Sequence, residues 1–263
     1  MLEQLLCSRR PPVSEAMLPA RIIADLKQIQ GEVPVAAIEA ALAAPENVKE
    51  ALLALLSEFA RQPETLPFGA IAHWHAMLLL AQWRESRAFD SLSKFLELPA
   101  EMVDHVLGET LDTLLARALA STCHNRAKQL FQAVENPQNY DYCRIAALKA
   151  LTILMLQGEL ARESLIEFYH DLMLKLPRLA DAFPWDLLVR EINEIHPAEL
   201  EHPIRKLFAD GLINPHFLRV EHMESALSQS PNQLLEATRR KPEYQIIKDA
   251  LAEIRELAIY AGT

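Results

Sequence analysis

The sequence predicts an all-α protein, an α-α superhelix of stacked helical hairpins, and three observations carry that prediction. Only 6 of 263 residues are Gly, whereas ordinary chains use about 7%. Hairpin-rich β proteins need Gly where their turns demand positive φ. The apolar residues are mostly Leu and Ala, with 6% aromatic, and Leu and Ala are strong helix formers. Apolar positions recur three and four apart in segment after segment, and no alternating run of strand length interrupts them.

The elements follow in order. Residues 1–18 read as an N-terminal arm, because Arg9-Arg10-Pro11-Pro12 cannot continue a helix when Pro lacks an N–H and crowds the preceding turn. A single domain of stacked hairpins then occupies 19–263. Pro19–Gln30 puts Ile22, Ile23, Leu26 and Ile29 on one face, and Gly31 is placed to end it. Pro34–Ala43 starts with Pro at a permissive first-turn position. Val48–Arg61 spaces Leu52, Leu55, Leu56 and Phe59 helically. Phe68–Trp83 is apolar nearly all round, the mark of a helix buried on two sides. Arg87–Leu98, Glu101–Leu107, Glu109–Cys123 and Asn125–Val134 follow, divided by Pro99, Gly108 and the corner at 124. Tyr142–Gln157 and Arg162–Leu176 pair across Gly158, and Trp185–Ile195 and Ala198–Ala209 across His196-Pro197. Val220–Ser228, Asn232–Arg240 and a long last helix, Glu243–Tyr260, finish the chain.

Helix pairs recur at roughly 35–50 residues, the range of helical solenoids. The clearest unit is Gln129–Lys175, which contains LFQAVENPQNYDYCRIAALKALTILMLQGELARESLIEFYHDLML. An apolar helix stops at Asn136-Pro137, a polar corner leads to Tyr142 and Arg144, and small Ala146, Ala147 and Ala150 let helices approach closely. Arg144 sits where its guanidinium reaches corner carbonyls or a carboxylate across the turn. This unit resembles HEAT-type repeats, in which a Pro-containing corner precedes an Arg-x-x-Ala helix start. On three segments, HWHAMLLLAQWRESRAF, CRIAALKALTILMLQGEL and HPIRKLFADGLINPHFL, the chain also resembles a bacterial family called domain of unknown function, number eleven-eighty-six. That resemblance covers about residues 30–230, implies a HEAT-like fold and brings no activity with it. Some relatives carry a C-terminal Cys-rich zinc module, and this chain has no Cys after Cys143 to match it.

Charge and cysteine usage exclude several functions. The formal net charge is −10, spread along both halves, and such a field opposes nucleic acid and anionic lipid. No stretch approaches the roughly 18 apolar residues of a membrane span. The start, MLEQLLCSRRPP, lacks the early charge and long apolar core of a signal peptide. Three cysteines without a Cys-x-x-Cys pair fit a reducing, cytoplasmic setting.

Chemistry-bearing residues reduce to a few constellations. His73 and His75 lie two apart and point about 200° from each other on a helix, whereas a zinc helix wants i and i+4. Cys123 with His124 or His105 is the one conceivable nucleophile pair. Glu163, Glu167 and Asp171 form an acidic stripe, and Glu191, Glu194, Glu199 and Glu201 a second group, both suited to a basic partner or a solvated face. Trp74, Trp83, Tyr140 and Tyr142 are candidate anchors for a peptide. The expectation is therefore a non-enzymatic scaffold that binds a protein or peptide, a basic one included, with no cofactor, no metal and no catalytic residues. Its contacts are assigned to His73, Trp74, Arg84, Arg87, Tyr142 and Arg144. The alternative is a small-substrate hydrolase using Glu or His in a pocket of the stack.

Overall fold

The computed structural model describes residues 18–28, 32–67, 70–108, 111–175 and 183–257, so residues 1–17 of the arm, the Gly31 stop and the ends of several expected helices lie outside the described residues. Among the described residues the structure is all helical, with the helices packed as an α-α superhelix. The first half holds α1 (Pro19–Leu26), α2 (Val35–Ala43), α3 (Lys49–Arg61), α4 (Ala72–Gln82), α5 (Phe89–Phe95), α6 (Ala100–Val106) and α7 (Ala116–Thr122). The second half holds α8 (Ala127–Glu135), α9 (Asp141–Leu156), α10 (Arg162–Lys175), α11 (Trp185–Asn193), α12 (Glu201–Ala209), α13 (Val220–Leu227), α14 (Pro231–Arg240) and α15 (Ala250–Arg255). Proline opens many of these elements, at Pro19 and Pro231 and in the 3₁₀ turns at Pro45, Pro63 and Pro242. Its missing N–H costs nothing in a first turn. Helix α7 is entered through one π turn, Leu111–Leu115.

Helices α4, α7, α9 and α11 form a row, each packed on the next, while α3 packs on α4, α5 on α7, and α8 and α10 on α9. The row is the core. All of Ala72–Ala81 in α4 and all of Cys143–Leu156 in α9 are buried. Ala146, Ala147 and Ala150 are each fully buried, small side chains that let the helices packed on α9 approach it closely. The all-round apolar character of α4 thus has the expected consequence, with α3 on one side and α15 on the other.

The last helix corrects the sequence reading. In place of one helix over Glu243–Tyr260, a 3₁₀ turn (Pro242–Tyr244) leads into a non-helical run at 245–249, and α15 begins only at Ala250. Here tertiary contacts override helical periodicity. Arg117 Nε donates to Gln245 O (2.7 Å) and Ser121 Oγ accepts from Ile247 N–H (3.0 Å). Asp249 then caps α15 by accepting from Ala252 N–H (3.0 Å). Residues 244–257 return across α4, α7 and α9 as a strap.

The row also repeats one corner. Two or three residues beyond α4, α7, α9 and α11 the chain adopts positive φ at Arg84, His124, Gly158 and His196, so successive corners lie 40, 34 and 38 residues apart by position. At Arg84 and Gly158 the chain turns through paired bonds, Arg84 N–H to Ala81 O with Glu85 N–H to Leu80 O, and Gly158 N–H to Met155 O with Glu159 N–H to Leu154 O. Gly accepts this conformation freely, whereas Arg pays about 1–2 kcal/mol. Arginines link the corners, Arg126 the second to the first, Arg84 the first to the third and Arg162 the third to the fourth. Arg84 pairs with Glu159 (2.5 Å), Arg126 bonds Ser86 O and Asp90, and Arg162 bonds Ile195 O, His196 O and Glu199.

Candidate partner-binding groove

Three of the six expected contact residues lie inside the core. His73 is 2% exposed, hydrogen-bonds Val106 O through Nε2 (2.5 Å) and stacks edge-on against Phe59. Burial holds its imidazole down to about 4, so it stays neutral. Trp74 is buried beside it. Arg144 is 1% exposed, donates to Val134 O (2.9 Å), pairs with Asp141 (3.3 Å) and lies 4.3 Å from the Phe183 ring centroid. It performs the corner role its sequence position suggests. As folded, these three offer nothing to a partner. Arg84 and Arg87 are accessible but ion-paired, Arg84 with Glu159 and Arg87 with Glu50 and Glu85.

Tyr142 remains. It is 49% exposed at the start of α9 and stands at one end of a groove of about 300 Å³. The groove is bounded by Asp141, Pro184, Asp186, Leu187, Arg190, Phe217 and Leu218. A second hollow of about 330 Å³ shares Arg190, Phe217 and Leu218 and continues past Asn193 and Glu194 to Leu234 and Lys241. The two together run along the outward stripe of α11, where Asp186, Leu187, Arg190, Asn193 and Glu194 recur at helical spacing. Phe217, 78% exposed, forms the wall between them.

The loop that carries Phe217 is braced at both ends. Asp186 accepts from Asn214 N–H (2.7 Å), and Asn214 Oδ1 accepts from His216 N–H (3.0 Å) in an Asx turn. His222 Nδ1 accepts from Arg219 N–H (3.0 Å) at the start of α13. A large apolar ring on a fixed loop has little conformational entropy to lose on binding. One acceptor in the groove lacks a protein partner, the buried Asn193 Oδ1. Sequence reasoning misses Phe217 because a lone Phe between His216 and Leu218 belongs to no periodic face.

The titratable groups most altered by the fold lie elsewhere. Glu191, on the buried side of α11, is fully enclosed and accepts from the Tyr244 hydroxyl at 3.0 Å through both oxygens. Burial raises its carboxyl to about 7, with Lys149, Arg190 and Tyr244 opposing that rise. Tyr169 is raised by the same enclosure. Neither Glu191 nor Tyr169 borders the groove. The Cys/His pairing is also unformed. Burial raises the Cys123 thiol, His124 Nε2 bonds Arg84 O (3.2 Å) and His105 Nε2 bonds Leu66 O (3.0 Å). His73 and His75 turn to different elements, Val106 O and Leu26 O. Among the described residues no group of three or more His, Cys, Asp or Glu is placed to hold a metal ion, and no helix is long and apolar enough to cross a membrane.

Fold and groove together define a helical superhelix with a packed row of core helices and an aromatic-walled surface channel. The chain belongs to the family described as Protein of unknown function (DUF1186), whose model matches residues 17–260. It is similar to an uncharacterized protein of Chlamydia trachomatis serovar D, 31% identical over 212 residues that span 80% of this chain and 84% of that one. An uncharacterized protein of Chlamydia muridarum is 30% identical over 212 residues, 80% of this chain and 85% of the relative. No solved structure matches the chain significantly.

Proposed function

We propose that this protein is a non-enzymatic helical-repeat scaffold that binds a protein or peptide in the groove over α11. The observation that carries the reading is that Tyr142 and Phe217, two exposed large hydrophobic side chains, converge on one channel floored by a single helix stripe. Aromatic anchors beside a formed pocket are the usual seat of binding energy at interfaces. Asp141 and Asp186 at one rim, with the net charge of −10, favour a partner segment that carries basic residues. The corners at Arg84, His124, Gly158 and His196 support a HEAT-like repeat over a single domain at 19–263, preceded by an arm at 1–18. Buried, unpaired Cys123 and Cys143 favour a reducing, cytoplasmic compartment.

The hydrolase alternative requires titratable groups converging on an open cavity. The strongest candidate, Glu191, is enclosed beneath Tyr244. The test is affinity capture from lysate of the native source with the full chain and with the Tyr142→Ala/Phe217→Ala double variant. A partner retained by the double variant at wild-type yield removes the groove as its site. The reading predicts its loss, with Arg84→Ala/Arg87→Ala leaving capture unchanged.

A further inference from the structure

The strap is held to the core row in the way a protein holds a bound peptide. Its run at 245–249 makes no helix of its own. Side chains of α4 and α7 instead satisfy its backbone. Arg117 donates to Gln245 O (2.7 Å), Ser121 accepts from Ile247 N–H (3.0 Å) and Gln82 Oε1 accepts from Ala250 N–H (2.7 Å). Main-chain bonds combined with spaced side-chain pockets are how extended peptides are recognised.

The anchors are spaced accordingly. Tyr244, Ile247, Ala250, Ile254 and Leu257 are buried, while Lys248 and Asp249 between them face outward. One charged contact fixes register. The Arg117 guanidinium grips Glu253 with both arms, at 2.8 and 2.5 Å. Arg117 is 6% exposed and Ser121 fully buried, and among the described residues their side-chain hydrogen bonds outside α7 go to the strap. The strap thus states the chemistry that this face reads: an aromatic residue, a branched aliphatic three positions on, a small residue after three more, then a carboxylate three further along followed by an aliphatic.

We propose that the α4–α7 face is a peptide-recognition surface of which the chain's own residues 244–257 are the resident occupant, and that a partner segment with this pattern displaces the strap. This surface meets the groove over α11 at one end, where Tyr244 bonds Glu191 and Lys241 pairs with Glu194, and the proposal stands if that groove binds nothing.

The test uses the full chain and a fluorescein-labelled peptide of residues 241–257. Glu253→Arg weakens the resident strap by setting two cations together and leaves the receiving face intact. This variant should bind the wild-type peptide about ten-fold tighter than the wild-type chain does. Arg117→Glu should fail to bind that peptide and bind instead the peptide carrying Glu253→Arg. Circular dichroism confirms that each variant is folded, and two folded variants that bind neither peptide overturn the proposal. If Glu253→Arg does not fold, hydrogen exchange on the wild-type chain decides. Amides of Ile247 and Ala250 opening faster than those of α9 support a displaceable strap, and exchange only in step with α9 overturns it.

Discussion

The two ends of the core row end differently. At the α4–α7 end, the strap supplies a second cover, and the polar side chains Gln82, Arg117 and Ser121 are matched to its backbone. At the α11 end one stripe of the helix stays open among the described residues, and its Asp186, Leu187, Arg190, Asn193 and Glu194 floor a channel walled by Phe217. The helices themselves explain the contrast. Ten successive residues of α4 are buried, so an uncovered α4 would expose a large apolar patch, which soluble proteins avoid. Helix α11 is amphipathic and needs only one covered side, with Trp185, Leu188, Val189 and Ile192 inward. A helix that tolerates water on one face can serve as the floor of a binding site.

Stability measurements break or sharpen this comparison, beginning with the largest effect. Leu79, fully buried in α4, should cost about 2–5 kcal/mol when changed to Ala, since truncation leaves a cavity the row cannot close. Urea unfolding checks this, and a loss below about 1 kcal/mol would mean that α4 is not enclosed on both sides.

The junction between the two regions is the Glu191–Tyr244 contact, and its effect depends on pH. Glu191 is raised from 4.5 to about 7 in the folded protein, so the folded state holds this proton more tightly than the unfolded one. Its contribution is full below about pH 4.5 and is lost as pH rises toward 7, at about 1.4 kcal/mol for each pH unit between those limits, or about 3 kcal/mol in all. His73, lowered from 6.5 to about 4, acts with the opposite sign, losing stability as pH falls through that window. The two offset each other between about pH 4.5 and 6.5. Glu191→Gln should therefore unmask a rise in urea midpoint with pH and stabilise the protein at pH 8. Parallel wild-type and variant profiles would show that Glu191 does not titrate in an enclosed site.

Arg117→Ala should cost about 2 kcal/mol, because it strips a carbonyl and a partly buried carboxylate of their partner. Arg205→Ala, which breaks exposed pairs with Glu201 and Glu224, should leave the urea midpoint almost where it was, because water and salt screen such pairs. Equal losses would argue that the strap is no better seated than a surface ion pair. The smallest effect belongs to the groove. Phe217→Ala should shift the urea midpoint by less than the equivalent of about 0.5 kcal/mol, since the ring is mostly in water.

Legibility in the sequence follows the same division. The core row is readable because burial imposes periodicity, as in the uninterrupted apolar face of α4 and the Ala steps of α9. Arg144 is readable too, because the corner carbonyl it serves lies ten residues away in the same hairpin, at Val134. The strap is not. Tyr244, Ile247, Leu251 and Ile254 have helical spacing, and the contacts that straighten 245–249 come from Ser121 and Arg117, about 130 residues earlier. His73 and Trp74 look like binding residues only until α4 is known to be covered on both sides. Phe217 is invisible for the reverse reason, since an exposed ring on a braced loop leaves no pattern.

The central claim, that α11 is the open end of the row and α4–α7 the end its own strap covers, is tested most directly by site-specific photocrosslinking. A photoreactive phenylalanine replaces Phe217 in one full-length chain and Lys248, exposed on the strap, in another, and both are irradiated in lysate of the native source. The account predicts a discrete adduct from position 217 and none from 248. An adduct from 248 alone would contradict it and place the partner over the strap.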